Sequence, residues 1–138
     1  MAATSFFIDT SSFFALLSAQ DRDHRAAAAL MKQAARAGTR LVTSDYVLSE
    51  TATLLKVRGG VHLCEHLLTA VARSDKLVVV HVTPELFEQT AALFLHRQDQ
   101  AFSFADCSSF CIMRRQGLLR VLTRDQHFQV EGFVPLLA

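Results

Sequence analysis

The stretch Ser5-Phe6-Phe7-Ile8-Asp9-Thr10-Ser11-Ser12-Phe13-Phe14-Ala15-Leu16-Leu17 decides how the rest of the chain is read. Its first four residues are mostly apolar and suit a short buried strand. Asp9 to Ser12 then breaks the run before apolar residues resume at helical spacing. The pattern predicts strand, acidic turn, helix. Ligands of an open α/β sheet bind at the carboxyl ends of its strands, so an Asp closing a first, central strand is placed for chemistry. Helix capping is the competing explanation, because Asp9 or Ser11 can accept hydrogen bonds from backbone N–H groups of the first turn. A functional role therefore requires further acids at the same end of the sheet.

Downstream, Arg25 to Ala37 is a strongly helix-forming run that stops at Gly38, and residues 40–43 suit a second short strand. Ser44-Asp45 offers an N-cap for a helix whose apolar face includes Val47, Leu48, Thr51, Leu54 and Leu55, ending at Gly59-Gly60. Residues 61–73 form an amphipathic helix, residues 77–82 a β-branched strand, and Pro84 opens a helix running to about Arg97. A further helix carries Ala105, Ser109, Ile112 and Met113 at helical spacing and stops at Gly117, with Asp106 in its first turn. Residues 120–122 and 133–137 are expected strands, with a turn at Thr123-Arg124-Asp125. Strands alternating with helices imply a three-layer α/β/α fold around a mainly parallel sheet of about five strands.

The length of 138 residues and 51% hydrophobic content fit one domain over residues 1–138. Fourteen basic against thirteen acidic side chains leave a formal charge of +1, which excludes a global electrostatic footprint for nucleic acid; such contacts must be local. Eleven of the cations are Arg, the side chain best suited to bidentate phosphate contacts. The apolar N-terminus has no Lys or Arg before it and is interrupted by Asp9, unlike a signal peptide, and no run reaches a membrane span. A cytoplasmic protein with no membrane association is expected. Three Cys without a CxxC pair fit reduced thiols, and Cys107 and Cys111, one turn apart, are read as core rather than metal ligands.

In this layout Asp9 and Asp125 both follow strands, Asp106 opens the helix before the last-but-one strand, and Glu50 is an isolated acid on an otherwise apolar helix. All four can face one cleft. Carboxylates about 4 Å apart repel by roughly 4 kcal/mol per pair at an effective dielectric near 20, so such a cluster needs cations or raised pKa values. Oxygen ligands select hard ions, Mg²⁺ or Mn²⁺, with the hydroxyls of Ser11 and Thr123 fixing carboxylates or waters around them. Arg124, beside Asp125, is a candidate contact for a phosphate oxygen.

The segments IDTS, SDYVLSET, FADCSSF and LTRDQHF followed by GFVPL, in this order and spacing, resemble the PIN-domain ribonucleases, and most closely the VapC-like toxins of toxin–antitoxin pairs. The resemblance runs from about Ser5 to Leu137. It implies a metal-dependent endoribonuclease with Asp9, Glu50, Asp106 and Asp125 as catalytic, metal-binding acids and Ser11 and Thr123 as their support. It also implies RNA as substrate, an inhibitory antitoxin partner and a homodimer. Some relatives carry an additional acid near the third motif; here Ala105, Cys107 and Ser103 surround Asp106, which leaves one or two metal ions open. Hydrolysis by an activated water would leave a 5′-phosphate. Phe13, Phe14, Leu16, Leu17, Ala27 to Leu30 and Met31 offer more apolar surface than one helix stripe needs. An antitoxin groove, the core and a homodimer contact each account for it.

Three rival readings are weaker. His62, Glu65 and His66 fit the H-x-x-E-H zinc-peptidase pattern, but no later acid is placed as third ligand. Aspartyl-phosphate phosphatases place a second Asp two residues after the first, where this chain has Ser11. A non-catalytic PIN-like RNA- or protein-binding module has little use for a costly carboxylate cluster.

Overall fold

A computed structural model of the protein describes residues 5–137. Met1 to Thr4, which contribute to the signal-peptide reading, and Ala138 lie outside the described residues. Strand β1 (Phe6–Ile8) is fully buried, and Asp9 turns the chain into helix α1 (Thr10–Leu17). Helix α2 (His24–Ala37) ends at Gly38, whose left-handed conformation (φ 66°) lets its N–H reach back to the last carbonyls. Strand β2 (Leu41–Ser44) runs directly into α3 (Asp45–Arg58), capped by the Ser44 hydroxyl, which accepts from the Val47 N–H at 3.1 Å. Helix α4 (Val61–Arg73) leads to β3 (Leu77–Val80), and α5 (Pro84–His96) starts with the Thr83 hydroxyl accepting from the Leu86 N–H. Helix α6 (Phe104–Gln116), strand β4 (Arg120–Leu122), the short α7 (His127–Val130) and β5 (Val134–Pro135) complete the chain.

The five strands form one sheet in the order β3-β2-β1-β4-β5, every pair parallel. Sequence order leaves β1 in both directions, so the crevice between the ends of β1 and β4 is a topological switch point, where open α/β sheets place ligands. Register delivers the site residues there: Ile8 pairs with Leu122, and the Asp9 N–H donates to the Leu122 carbonyl at 3.1 Å. Asp9 and Thr123 are thus neighbours at the carboxyl ends of β1 and β4.

The core on either side of the sheet joins Phe7 and Ile8 to Phe110, Met113 and Phe128, all essentially inaccessible to water. Phe110 meets Phe128 edge-on at 5.0 Å, which docks α7 against α6. Cys107 is fully buried in this core and Cys111 partly so, as the packing reading of the thiols requires. Among the described residues no helix is long and apolar enough to cross a membrane. The expected strands at residues 77–82 and 133–137 are shorter than the apolar runs suggest, and α7 was not foreseen, because four residues carry no periodicity.

Candidate active site

Four acids from four separate segments line a single cavity of about 220 Å³ at the switch point: Asp9 after β1, Glu50 on α3, Asp106 on α6 and Asp125 after β4. Asp9 is the innermost, with only 6% of its surface exposed. It occupies the N-cap position of α1, yet its side chain makes no capping hydrogen bond. Its Oδ2 instead accepts from the Thr123 hydroxyl at 3.1 Å. Burial pushes the Asp9 carboxyl up to about 7, helped by the negative charges of Asp106 and Asp125 and opposed by hydrogen bonding to the Thr10 backbone and Thr123.

The two supporting hydroxyls form a relay. Thr123 Oγ1 accepts the Asp125 N–H at 3.0 Å and lies 3.1 Å from Ser11 Oγ. The single Thr123 proton is committed to Asp9, so the Ser11 hydroxyl is the donor in that contact. Ser11 Oγ in turn accepts a long bond, 3.4 Å, from the Arg124 N–H. A single network therefore fixes the ends of β1 and β4 relative to one another.

Asp106 caps its helix and lines the cavity at the same time. With Ser103 it closes a capping box: the Asp106 N–H donates to Ser103 Oγ at 2.9 Å, and Asp106 Oδ2 accepts from the Ser103 N–H at 3.1 Å. The carboxylate is thereby held at the start of α6 while lining the cavity. Glu50 is exposed at the cavity rim. Arg124 also lines the cavity, but its guanidinium is drawn to Asp21 (3.1 Å) and Asp23 (2.9 Å).

Several site residues were missed by sequence reasoning. His127 Nδ1 lies 3.3 Å from Asp106 Oδ2 and 3.4 Å from Asp125 Oδ1. Its signal was its place two residues after Asp125. Arg58 and Phe14 also line the acid cavity, and Arg58, Glu50, Leu54 and Thr10 continue into a groove of about 800 Å³ that runs past Tyr46 and Phe104. Among the described residues, Asp106, Asp125 and His127 form the group of three whose potential ligand atoms lie within 4.8 Å of one another. His62, Glu65 and His66 sit exposed on α4 and form no such group.

The donors fit a hard divalent cation. The four acids offer carboxylate oxygens, and among the described residues no cation is paired with the buried Asp9 carboxyl.

Comparison with known proteins identifies the fold and the family. The PIN domain family model matches residues 6–132. The chain is 36% identical to the 23S rRNA-specific endonuclease VapC20 of Mycobacterium tuberculosis over 93% of this chain and 95% of the relative. It is 31% identical to ribonuclease VapC26 of the same organism, over 88% of this chain and 87% of the relative. The crystal structure of VapC20, described as a sarcin–ricin loop cleaving toxin, superposes with a TM-score of 0.84 at 34% identity, covering 94% of this chain and 96% of that one. FitAcB from Neisseria gonorrhoeae shares the fold, at a TM-score of 0.60 and 14% identity over 94% of each chain. A central parallel sheet ending in a shared acidic cavity, matched over almost its whole length by VapC relatives, makes this chain a VapC-like member of the PIN-domain family.

Proposed function

We propose that this chain is a single nuclease domain over residues 1–138 that hydrolyses RNA phosphodiesters, with Mg²⁺ or Mn²⁺ held by Asp9, Glu50, Asp106 and Asp125. The observation that carries the reading is the convergence of Asp9, Glu50, Asp106 and Asp125 on one cavity, with the buried Asp9 carboxyl matched by no cation among the described residues. A bound divalent ion supplies the positive charge that activates a water and neutralises the phosphate. Thr123 and Ser11 hold Asp9 and the Asp125 turn in fixed relation, which keeps the carboxylates from moving apart under their own repulsion. Arg124, expected to contact phosphate, would have to share its guanidinium with Asp21 and Asp23. Arg58 has no carboxylate partner among the described residues and lines both the acid cavity and the larger groove, so it supplies an additional phosphate contact where the RNA enters. In-line attack by water leaves a 5′-phosphate and requires no covalent intermediate on the protein.

In the cell the chain acts in the cytoplasm as the toxin of a toxin–antitoxin pair. The antitoxin lays an apolar segment in a cavity of about 280 Å³ between α1, α2 and α4, lined by Phe13, Leu16, Leu17, Met31 and Leu67. Phe14, grouped with these residues by sequence, lines the acid cavity instead. Met31→Glu should weaken antitoxin binding and inhibition while leaving cleavage intact; unchanged inhibition would place the antitoxin elsewhere. A homodimer forms through the exposed Phe87 and Phe94 of α5, which pack about the Phe104 ring.

The 36% identity to a 23S rRNA-specific endonuclease makes ribosomal RNA the first substrate to test. Sequencing RNA 5′ ends after controlled expression of the wild type and of Asp106→Asn should reveal new cuts in the wild type only. Identical end profiles from the two proteins would reject the reading.

A further inference from the structure

His127 stands beside the oxygen donors but differs from them in chemistry. Adjacent corners of an octahedron with bonds of about 2.1 Å lie about 3.0 Å apart. The distances from His127 Nδ1 to Asp106 Oδ2 and Asp125 Oδ1, 3.3 and 3.4 Å, need only a small contraction to become such edges. The residue is anchored where it stands: its N–H donates to Asp125 Oδ1 at 2.9 Å, and its ring packs edge-on against buried Phe102 at 5.1 Å.

We propose that His127 is a nitrogen ligand of the divalent ion held between Asp106 and Asp125, and that it biases this chain toward Mn²⁺ over Mg²⁺. Mg²⁺ is a hard ion served by oxygen and gains little from an imidazole, whereas a first-row transition ion gains more. The inference rests on the metal-site reading above, and it assigns that site its nitrogen donor and its preferred ion.

The test is Mn²⁺ binding to the metal-stripped full chain, read by electron paramagnetic resonance, with Mg²⁺ affinity obtained by competition. Wild-type protein should show ¹⁴N coupling to bound Mn²⁺, and the coupling should vanish in both His127→Ala and His127→Gln. Mn²⁺ affinity should fall about tenfold in these variants, with Mg²⁺ affinity held within about threefold. Gln retains a polar side chain without an imidazole, so a loss shared by both variants belongs to the ring nitrogen. Bound Mn²⁺ without ¹⁴N coupling in the wild type would overturn the proposal, as would equal weakening of both ions, which makes His127 a positioning residue. Asp106→Asn separates the two levels of the argument. If it binds Mn²⁺ as the wild type does, the metal site itself is wrong; if it loses Mn²⁺ while the coupling criterion fails, only the His127 assignment falls.

Discussion

Glu131 and Asp9 are both withdrawn from water, the Glu131 side chain 4% exposed and Asp9 6%, and the molecule treats them in opposite ways. Glu131 is gripped by Arg97 and Arg114, each at 2.8 Å. Burial alone would raise its pKa, but the two guanidiniums overcome that and hold it below the usual carboxylate range. Among the described residues Asp9 receives a hydroxyl and no cation, has two acids for neighbours, and is pushed up to about 7. The fold thus neutralises the carboxylate of Glu131 and leaves that of Asp9 without a cation among the described residues. On the proposed function, an external cation would complete the second site.

The largest expected effect follows from removing the uncompensated charge. Asp9→Asn and Asp106→Asn should each lower the cleavage rate on the order of 10³-fold or more. Without metal, Asp9→Asn should be no less stable than the wild type, and more stable by at least about 1 kcal/mol near pH 8, where the buried carboxylate is charged. Denaturant melts of the stripped proteins measure this. The complementary change breaks the satisfied site: Glu131→Gln leaves two guanidiniums without their carboxylate and should cost about 2 kcal/mol, at the low end for a buried pair because both Arg side chains can reach water. Cleavage per folded molecule should be unchanged.

Stability against pH sharpens the contrast. Between about pH 4 and pH 7 the folded chain keeps a proton on Asp9 that the unfolded chain has lost, so metal-free stability should fall as pH rises through that window and level off above it. Glu131 acts in the other direction and lower. Its contribution is complete above its unfolded value near 4.5 and is lost as pH falls through its depressed folded value. Asp9→Asn should erase the upper slope and keep the lower one, and saturating Mn²⁺ should flatten the upper slope in the wild type. The smallest effect belongs to Cys107→Ala, which should cost about 1 kcal/mol in a melt and leave the rate intact, since the thiol fills core beside the start of α6.

The same contrast explains what could be read from sequence. Asp9, Asp106 and Asp125 were legible because each follows a strand or a helix start whose signals are local: an apolar run, the Ser103 cap, the Gly117 stop. The strands and their parallel packing followed from the same alternation. Glu131 went unremarked because its partners lie 34 and 17 residues away and no local pattern pairs them. The tie of Arg124 to Asp21 and Asp23 spans more than a hundred positions and was equally hidden, which is why a phosphate contact looked open to it. His127 could have been found from its position two residues beyond Asp125, where a tight turn brings the side chain back toward the carboxylate it follows.

Single-turnover cleavage by the metal-stripped protein, with Mg²⁺ or Mn²⁺ returned to it, tests most directly whether the acid cluster works through a bound cation. The account predicts no cutting without metal, recovery with either ion in the wild type, and no recovery in Asp106→Asn at the same metal concentration. Cleavage that persists in excess chelator, or an Asp106→Asn variant that cuts at near the wild-type rate, would contradict it.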